Sequence, residues 1–543
     1  MKRPGNLQRD VFLVAQLATA ISVISFFYFL QHGDLLLYGD AVAHINIARR
    51  VFDSRTPGLL QLGTVWLPLP HLLMIPFLVS RKLWQTGLGG SIPSLVAYVL
   101  SVVGILRLMQ VVLPAELSET KDGRFAGWLA VGIFALNPNL IYLQTTAMTE
   151  PIYLPFFIWG ILFFSEALRS CRNGEVEAGN SALVKCGLCL LGACLTRYDG
   201  WMLSGVIVLV AVLLACVGNF RALRPGVAKL VLLAAVGPAI WLAYNAAVYR
   251  NPLEFVNGPY SAKAIELKSS APTHPGKNDL PVAFRYFLKS AQLNLAPGAM
   301  KFFWVSALLL GTAMGLLFQR RLWPLLLLWT PVPFYMLSIA DGGVPLYVPA
   351  WWPFSFYNVR YGIEMLPAFA VFTAAGAYGL IRFASGKKAQ LAVATVFTVL
   401  FGISYVQVFL ASPLSLKEAE VNSRTRVALE KQLASIVSTF PENSTFLMYL
   451  GDHVGLFERA AIPLSHVINE GNHRPWKRPT DPDGLWEKAL AHPAQYADFV
   501  IAFDQDSIAT SANHAEMESL LVLHVTGQPP AIIYRTLKSN QAR

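Results

Sequence analysis

From Val11 to Leu30 the chain runs without a charge for about the twenty residues that a helix needs to cross a hydrocarbon core. Further apolar segments follow near 91–113, 126–145, 150–169, 182–198, 201–220, 228–249, 301–318, 322–339, 361–381 and 389–411, about eleven crossings in all. With 55% hydrophobic and only 14% charged residues, the composition excludes an ordinary soluble globular chain. The short connections set the orientation. Lys2, Arg3 and Arg9 precede the first span, and Arg169 with Arg172, Arg221 with Arg224 and Lys229, Arg320 with Arg321, and Arg382 with Lys387 and Lys388 fall on the same side. The positive-inside rule then predicts an integral, multi-pass membrane protein with a cytoplasmic N-terminus.

On that parity the polar mass lies outside the cytoplasm: 31–90, the 250–300 loop, the 340–360 loop and everything after 411. The apolar piece 67–80 carries Pro68, Pro70 and Pro76 and is too short to span, so it reads as an interfacial or re-entrant helix. The sequence divides into a membrane domain over 1–411 and a soluble extracytoplasmic domain over 412–543. Within the second, an amphipathic helix pattern at 417–438, strand patterns at 445–451, 497–504 and 531–537, and a helix near 484–492 predict a small α/β fold.

Several function classes are disfavoured. The formal charge of +11 is accounted for by membrane orientation and points to no nucleic-acid partner. No glycine fingerprint for a nucleotide is present. All five cysteines lie between 171 and 216, which argues against a disulfide framework, and Cys186 and Cys189 read as packing residues of an apolar span. No metal-ligand cluster stands out and no cofactor is expected. The sequon at Asn443 is of low specificity.

Charges inside a bilayer are costly, so their positions carry information. The span centres are nearly free of them. Asp40, Glu150, Arg197, Asp199, Arg360 and Glu364 gather instead at the outer ends of the spans. That pattern suits a reaction site at the outer membrane surface better than a conduction path. In a sugar transfer the acceptor hydroxyl loses a proton as it attacks the anomeric carbon, which calls for a carboxylate. A leaving phosphate calls for guanidinium partners. Asp40 is the candidate base and Glu150 the second carboxylate; Arg360, Arg197, Tyr361, Asp199 and His44 are candidates for binding substrate or phosphate.

Each residue also has a plainer explanation. Asp40 after Gly39 can cap a helix, Glu150 before Pro151 suits a helix N-terminus, and Arg360 with Glu364 at i, i+4 can pair with each other. His44 lies one turn beyond Asp40; His71 reads as packing. The run 347–357 reads as an aromatic belt, and the 250–300 loop, with Lys263 and Lys268, is long enough for a lid.

The quoted segments "YGDAVAH", "WLPLPHLLMIPF", "LNPNLIYLQTTAMTEPIYLPFF", "LTRYDGW" and "RYGIEMLP" together resemble the GT-C superfamily of membrane glycosyltransferases, near the protein O-mannosyltransferases and the lipid A aminoarabinose transferases. The resemblance covers roughly 1–411. It implies a polyprenyl-phosphate sugar donor, a protein, lipid or glycan acceptor, and catalysis by an acid of the first exterior loop, the position of Asp40. Many members place Glu directly after that acid, whereas Ala41 and Val42 follow here. The resulting expectation is a polytopic α-helical, inverting glycosyltransferase. The alternatives are a lipid-linked saccharide transporter and a non-catalytic subunit of an envelope assembly complex.

Overall fold

A computed structural model describes residues 6–113, 120–259, 261–264, 274–296, 298–314, 320–477 and 480–537. Among these, eight helices are long and apolar enough to cross a membrane: Leu7–His32, Leu88–Val112, Thr149–Asn173, Val176–Thr196, Phe220–Tyr249, Leu322–Ala340, Val359–Phe383 and one within Lys387–Val437. The chain is an integral membrane protein. The remaining three expected crossings are helical but shorter. Asp199–Ala215 and Met300–Ala313 are compact apolar helices. The stretch 126–145 breaks where Asn137 caps a new helix at Pro138, its side chain accepting from the amides of Asn139 and Leu140.

The bundle is built around Leu366–Phe383, which is buried along nearly its whole length and packs on Met300–Ala313 and Lys121–Ala135. Small residues make this possible, as expected where lipid supplies no hydrophobic drive between helices. A Cβ on Gly311 would lie 1.8 Å from the carbonyl oxygen of Phe372, and Gly376 faces the same crossing.

The segment after the last span stays in contact with the bundle. Helix Leu414–Val437 packs on the break helix Pro138–Leu143 and on the 3₁₀ turn Val359–Met365. Beyond it lies a five-stranded sheet in the order β2-β1-β3-β5-β4, with β1 Phe446–Met448, β2 Val467–Ile468, β3 Phe499–Phe503, β4 Met517–Leu523 and β5 Ala531–Thr536. β1 runs parallel to β2 and β3, while β5 runs antiparallel to β3 and β4. The three predicted strands are present. β2 is only two residues long, and β4 exposes Leu520, Leu521 and Val522, so it lacks the half-buried alternation that marks a strand in sequence.

The 67–80 piece forms helix Leu69–Leu78, anchored through buried His71, Met74 and Leu78. The 250–300 loop is more structured than a lid requires. It contains helix Leu280–Leu293, pinned to the 359–365 turn by Ser290 and Asn294, which both donate to the carbonyl of Val359 at 2.8 and 2.9 Å. Lys263 pairs with Asp341 at the surface, and Lys268 lies outside the described residues.

Candidate active site

Four helix N-termini meet at one point, and three of them bring an acid of their own. Asp40 lies in the first turn of Gly39–Arg50, Glu150 in that of Thr149–Asn173, and Asp199 in that of Asp199–Ala215. The fourth terminus, Val359–Met365, receives its acid from elsewhere: the amides of Val359 and Arg360 both donate to Glu418 at 3.2 Å. The first amides of a helix have no partner within it and carry the positive end of its dipole, so a carboxylate there is stabilised.

Two arginines knit these acids together. Arg360 reaches Glu150 at 3.2 Å and Glu418 at 3.4 Å, and its Nη2 makes a close charge-assisted contact with Asp40. Arg197 pairs with Glu150 at 3.3 Å, Asp199 at 3.1 Å and Glu364 at 3.1 Å, and donates to Thr149 and Tyr335. Tyr361 lies under both, 4.9 Å from the Arg360 guanidinium and 5.0 Å from that of Arg197. Tyr38 covers Arg360 from the other side at 4.9 Å and donates to the Ser415 carbonyl and to Glu418. Burial beside the Glu418 charge holds the Tyr38 hydroxyl well above its ordinary range, so it serves as a donor.

The cluster abuts a cavity of about 660 Å³, whose wall includes Asp40, Arg360 and Glu418. Asp40 is the open acid of the group. Its side chain is 41% exposed, against 1% for Glu150 and Glu418 and 0% for Glu364. Gly362 sets the depth of the arginine: a Cβ there would lie 2.5 Å from the amide nitrogen of Ala291 and the carbonyl carbon of Ser290, so only glycine lets the 359–365 turn seat against Leu280–Leu293.

No protein-family model matches the chain, and the curated proteins give no match. Among solved structures it is similar to ArnT from Cupriavidus metallidurans bound to undecaprenyl phosphate, with a TM-score of 0.59 at 12% identity over 95% of this chain and 97% of that chain. The apo state of the same protein gives 0.55 at 13% identity over the same shares.

The chain has the ArnT fold. The expected polytopic helical bundle is therefore the architecture observed, and the likeness runs over nearly the full length rather than 1–411 alone.

Within this ArnT fold six of the seven expected site residues come together: Asp40, Glu150, Arg197, Asp199, Arg360 and Tyr361. Only Asp40 and Arg360 of these reach the cavity wall. Arg197 has every guanidinium nitrogen engaged and forms the layer behind. The seventh, His44, faces elsewhere, its Nδ1 2.9 Å from Nε2 of His71 and its ring against Trp66. Burial and the nearby arginines push the His44 pKa down to about 3, which leaves a neutral ring.

Two local expectations are revised, and one further residue is added. Asp40 is not the N-cap of its helix, which starts one residue earlier, and its carboxylate accepts from Arg360 instead. Arg360 and Glu364 do not pair. They lie in a 3₁₀ turn, where three residues complete a turn and i, i+4 positions diverge, so Glu364 reaches Arg197 and Tyr335. Glu418 went unnoticed in sequence. Its signal is the spacing of Glu418, Arg426 and Glu430, which puts charges on the face of Leu414–Val437 that also buries Leu429 and Leu433.

Proposed function

We propose that this chain is a membrane glycosyltransferase that transfers a sugar from a polyprenyl-phosphate-linked donor to a hydroxyl acceptor on the extracytoplasmic face. The observation that carries the reading is the Asp40–Arg360 pair on the wall of the cavity, where one open carboxylate and one guanidinium stand side by side. Its support comes also from the fold shared with a protein solved in complex with undecaprenyl phosphate.

In the proposed reaction the donor phosphate binds at Arg360, whose Nη2 otherwise holds Asp40. The two anions compete for one guanidinium, so donor binding releases Asp40 as a base. The acceptor oxygen attacks the anomeric carbon from the face opposite the phosphate while its proton passes to Asp40. The bond from that carbon to the phosphate oxygen breaks, the electron pair stays on the phosphate, and the product has inverted configuration. Glu150, buried and shared between both arginines, holds Arg360 in place. Arg197, Asp199 and Tyr361 position rather than touch the reacting atoms, and His44 has no part in proton transfer.

The test is transfer by the purified protein from a panel of undecaprenyl-phosphate sugars to a membrane-lysate acceptor pool, wild type beside Asp40→Asn. The folded variant should lose on the order of 10² to 10⁴ in rate, the usual contribution of a positioned base. Equal transfer by both would remove Asp40 from the mechanism.

A further inference from the structure

The cavity is longer than the reacting centre needs. Gly39, Asp40, Ala43, Asn46, Ile47 and Arg50 all line it, the repeat of one face of a single helix. That helix is therefore a rail along the cavity. Asp40 and Arg50 stand at its two ends, and ten residues at a rise of 1.5 Å put their Cα atoms about 15 Å apart.

Three arginines line the wall, and two are satisfied. Arg360 has its carboxylates; Arg426 holds Glu430 at 3.0 Å and donates to the carbonyl of Leu37 at 2.8 Å. Arg50 has no ion pair within 4.0 Å and no hydrogen bond among the described residues, and its Nε is buried without a partner. Glu470 stands on the same wall, but its two carboxylate oxygens accept from the amides of Leu450 at 2.8 Å and Gly451 at 3.2 Å. A buried guanidinium donor left open in a walled cavity is costly unless a ligand completes it.

We infer that Arg50 is an anion-binding subsite for the acceptor: the acceptor is an elongated polar molecule that presents its hydroxyl at Asp40 and a phosphate or carboxylate group at Arg50. The inference rests on the transferase reading above and adds to it the acceptor's class. In the displacement the attacking oxygen and the leaving phosphate flank the same anomeric carbon, beside Asp40 and Arg360, so Arg50 at the far end of the rail serves a different anion. Asn422 and Gln528 on the same cavity wall add polar side chains that suit a saccharide.

Binding to the full-length protein in detergent separates the possibilities without requiring turnover. The probes are 3′-sialyllactose as an anionic trisaccharide, maltotriose as a neutral one, inorganic phosphate, and undecaprenyl phosphate. Wild type should bind sialyllactose at least about tenfold tighter than maltotriose, and Arg50→Gln should erase that preference and weaken inorganic phosphate, the loss expected for one charged hydrogen-bonding partner. Arg50→Lys should keep most of the preference, which guards against a folding defect. Undecaprenyl phosphate should bind both Arg50 variants within twofold of wild type. Glu470→Gln should leave sialyllactose binding intact or tighter. No anionic preference in wild type, an unchanged preference in Arg50→Gln, or equal loss in Glu470→Gln overturns the subsite. Loss of undecaprenyl phosphate binding in Arg50→Gln would assign Arg50 to the donor and overturn the acceptor role. Failure of Asp40→Asn to reduce transfer would instead strike the transferase reading, and these binding results would stand apart from it.

Discussion

At the scale of single residues the site is governed by what a buried charge demands. Arg360 is 5% exposed and serves three carboxylates, so Arg360→Met strips Asp40 and Glu418 of their guanidinium while Glu150 keeps Arg197, and a loss of about 3–5 kcal/mol is expected, read as a fall in the midpoint of thermal unfolding. Arg360→Lys should recover part of the stability but little transfer, because an ammonium cannot span carboxylates on different helices as a fork can. Glu458 offers a pH test. Buried, with Oε2 accepting from Asn46 at 2.8 Å and Oε1 unpartnered, it has a pKa pushed up by burial to about 8. The folded state then holds a proton that the unfolded chain has released between roughly pH 4.5 and 8. The resulting stability is present below about 4.5 and is lost as pH rises through about 8, so Glu458→Gln should flatten the decline in half-inactivation temperature over that window.

At the scale of elements the sequence announces charges at helix starts but not their partners. "MTEP" predicts an acid at a helix N-terminus, and Glu150 is found there; Asp199 of "RYDGW", expected only at the outer end of a span, also falls in a first turn. What periodicity cannot supply is the 3₁₀ geometry of Val359–Met365, because the motif "VRYGIEM" is equally compatible with an α-helical turn. The turn follows from Asn358 in the left-handed region, φ 57°, and from the tight seat of Gly362. Gly362→Ala should therefore lower transfer and cost on the order of 1–3 kcal/mol through displacement of the turn from Leu280–Leu293, although no atom of Gly362 belongs to the charge cluster. Glu418 illustrates the other limit. In "SLKEAEV" it is indistinguishable from Glu420, and only the packing of the helix on the bundle shows that one is buried and the other exposed.

At the scale of the whole molecule the expected division at 411/412 falls between a span and the helix that supplies Glu418 to the site. The apolar helices were legible because each span must satisfy its own backbone and hide its own charges. Contacts between the bundle and the following segment are long-range and polar, as with Asn46 donating to Glu458 and Arg426 to the carbonyl of Leu37, and no local pattern encodes them. A chain ended after residue 411 should accordingly extract from membranes as an aggregated, inactive species by size-exclusion chromatography, while Glu418→Gln in the full chain should remain monodisperse with reduced transfer.

The hydrogen bond between Tyr38 and Glu418 joins positions 380 residues apart. During synthesis helix Gly39–Arg50 is made long before Glu418 has been translated. The full centre thus cannot assemble on a fragment that ends before residue 418, in which Arg360 would keep Asp40 and Glu150 but lack its third carboxylate.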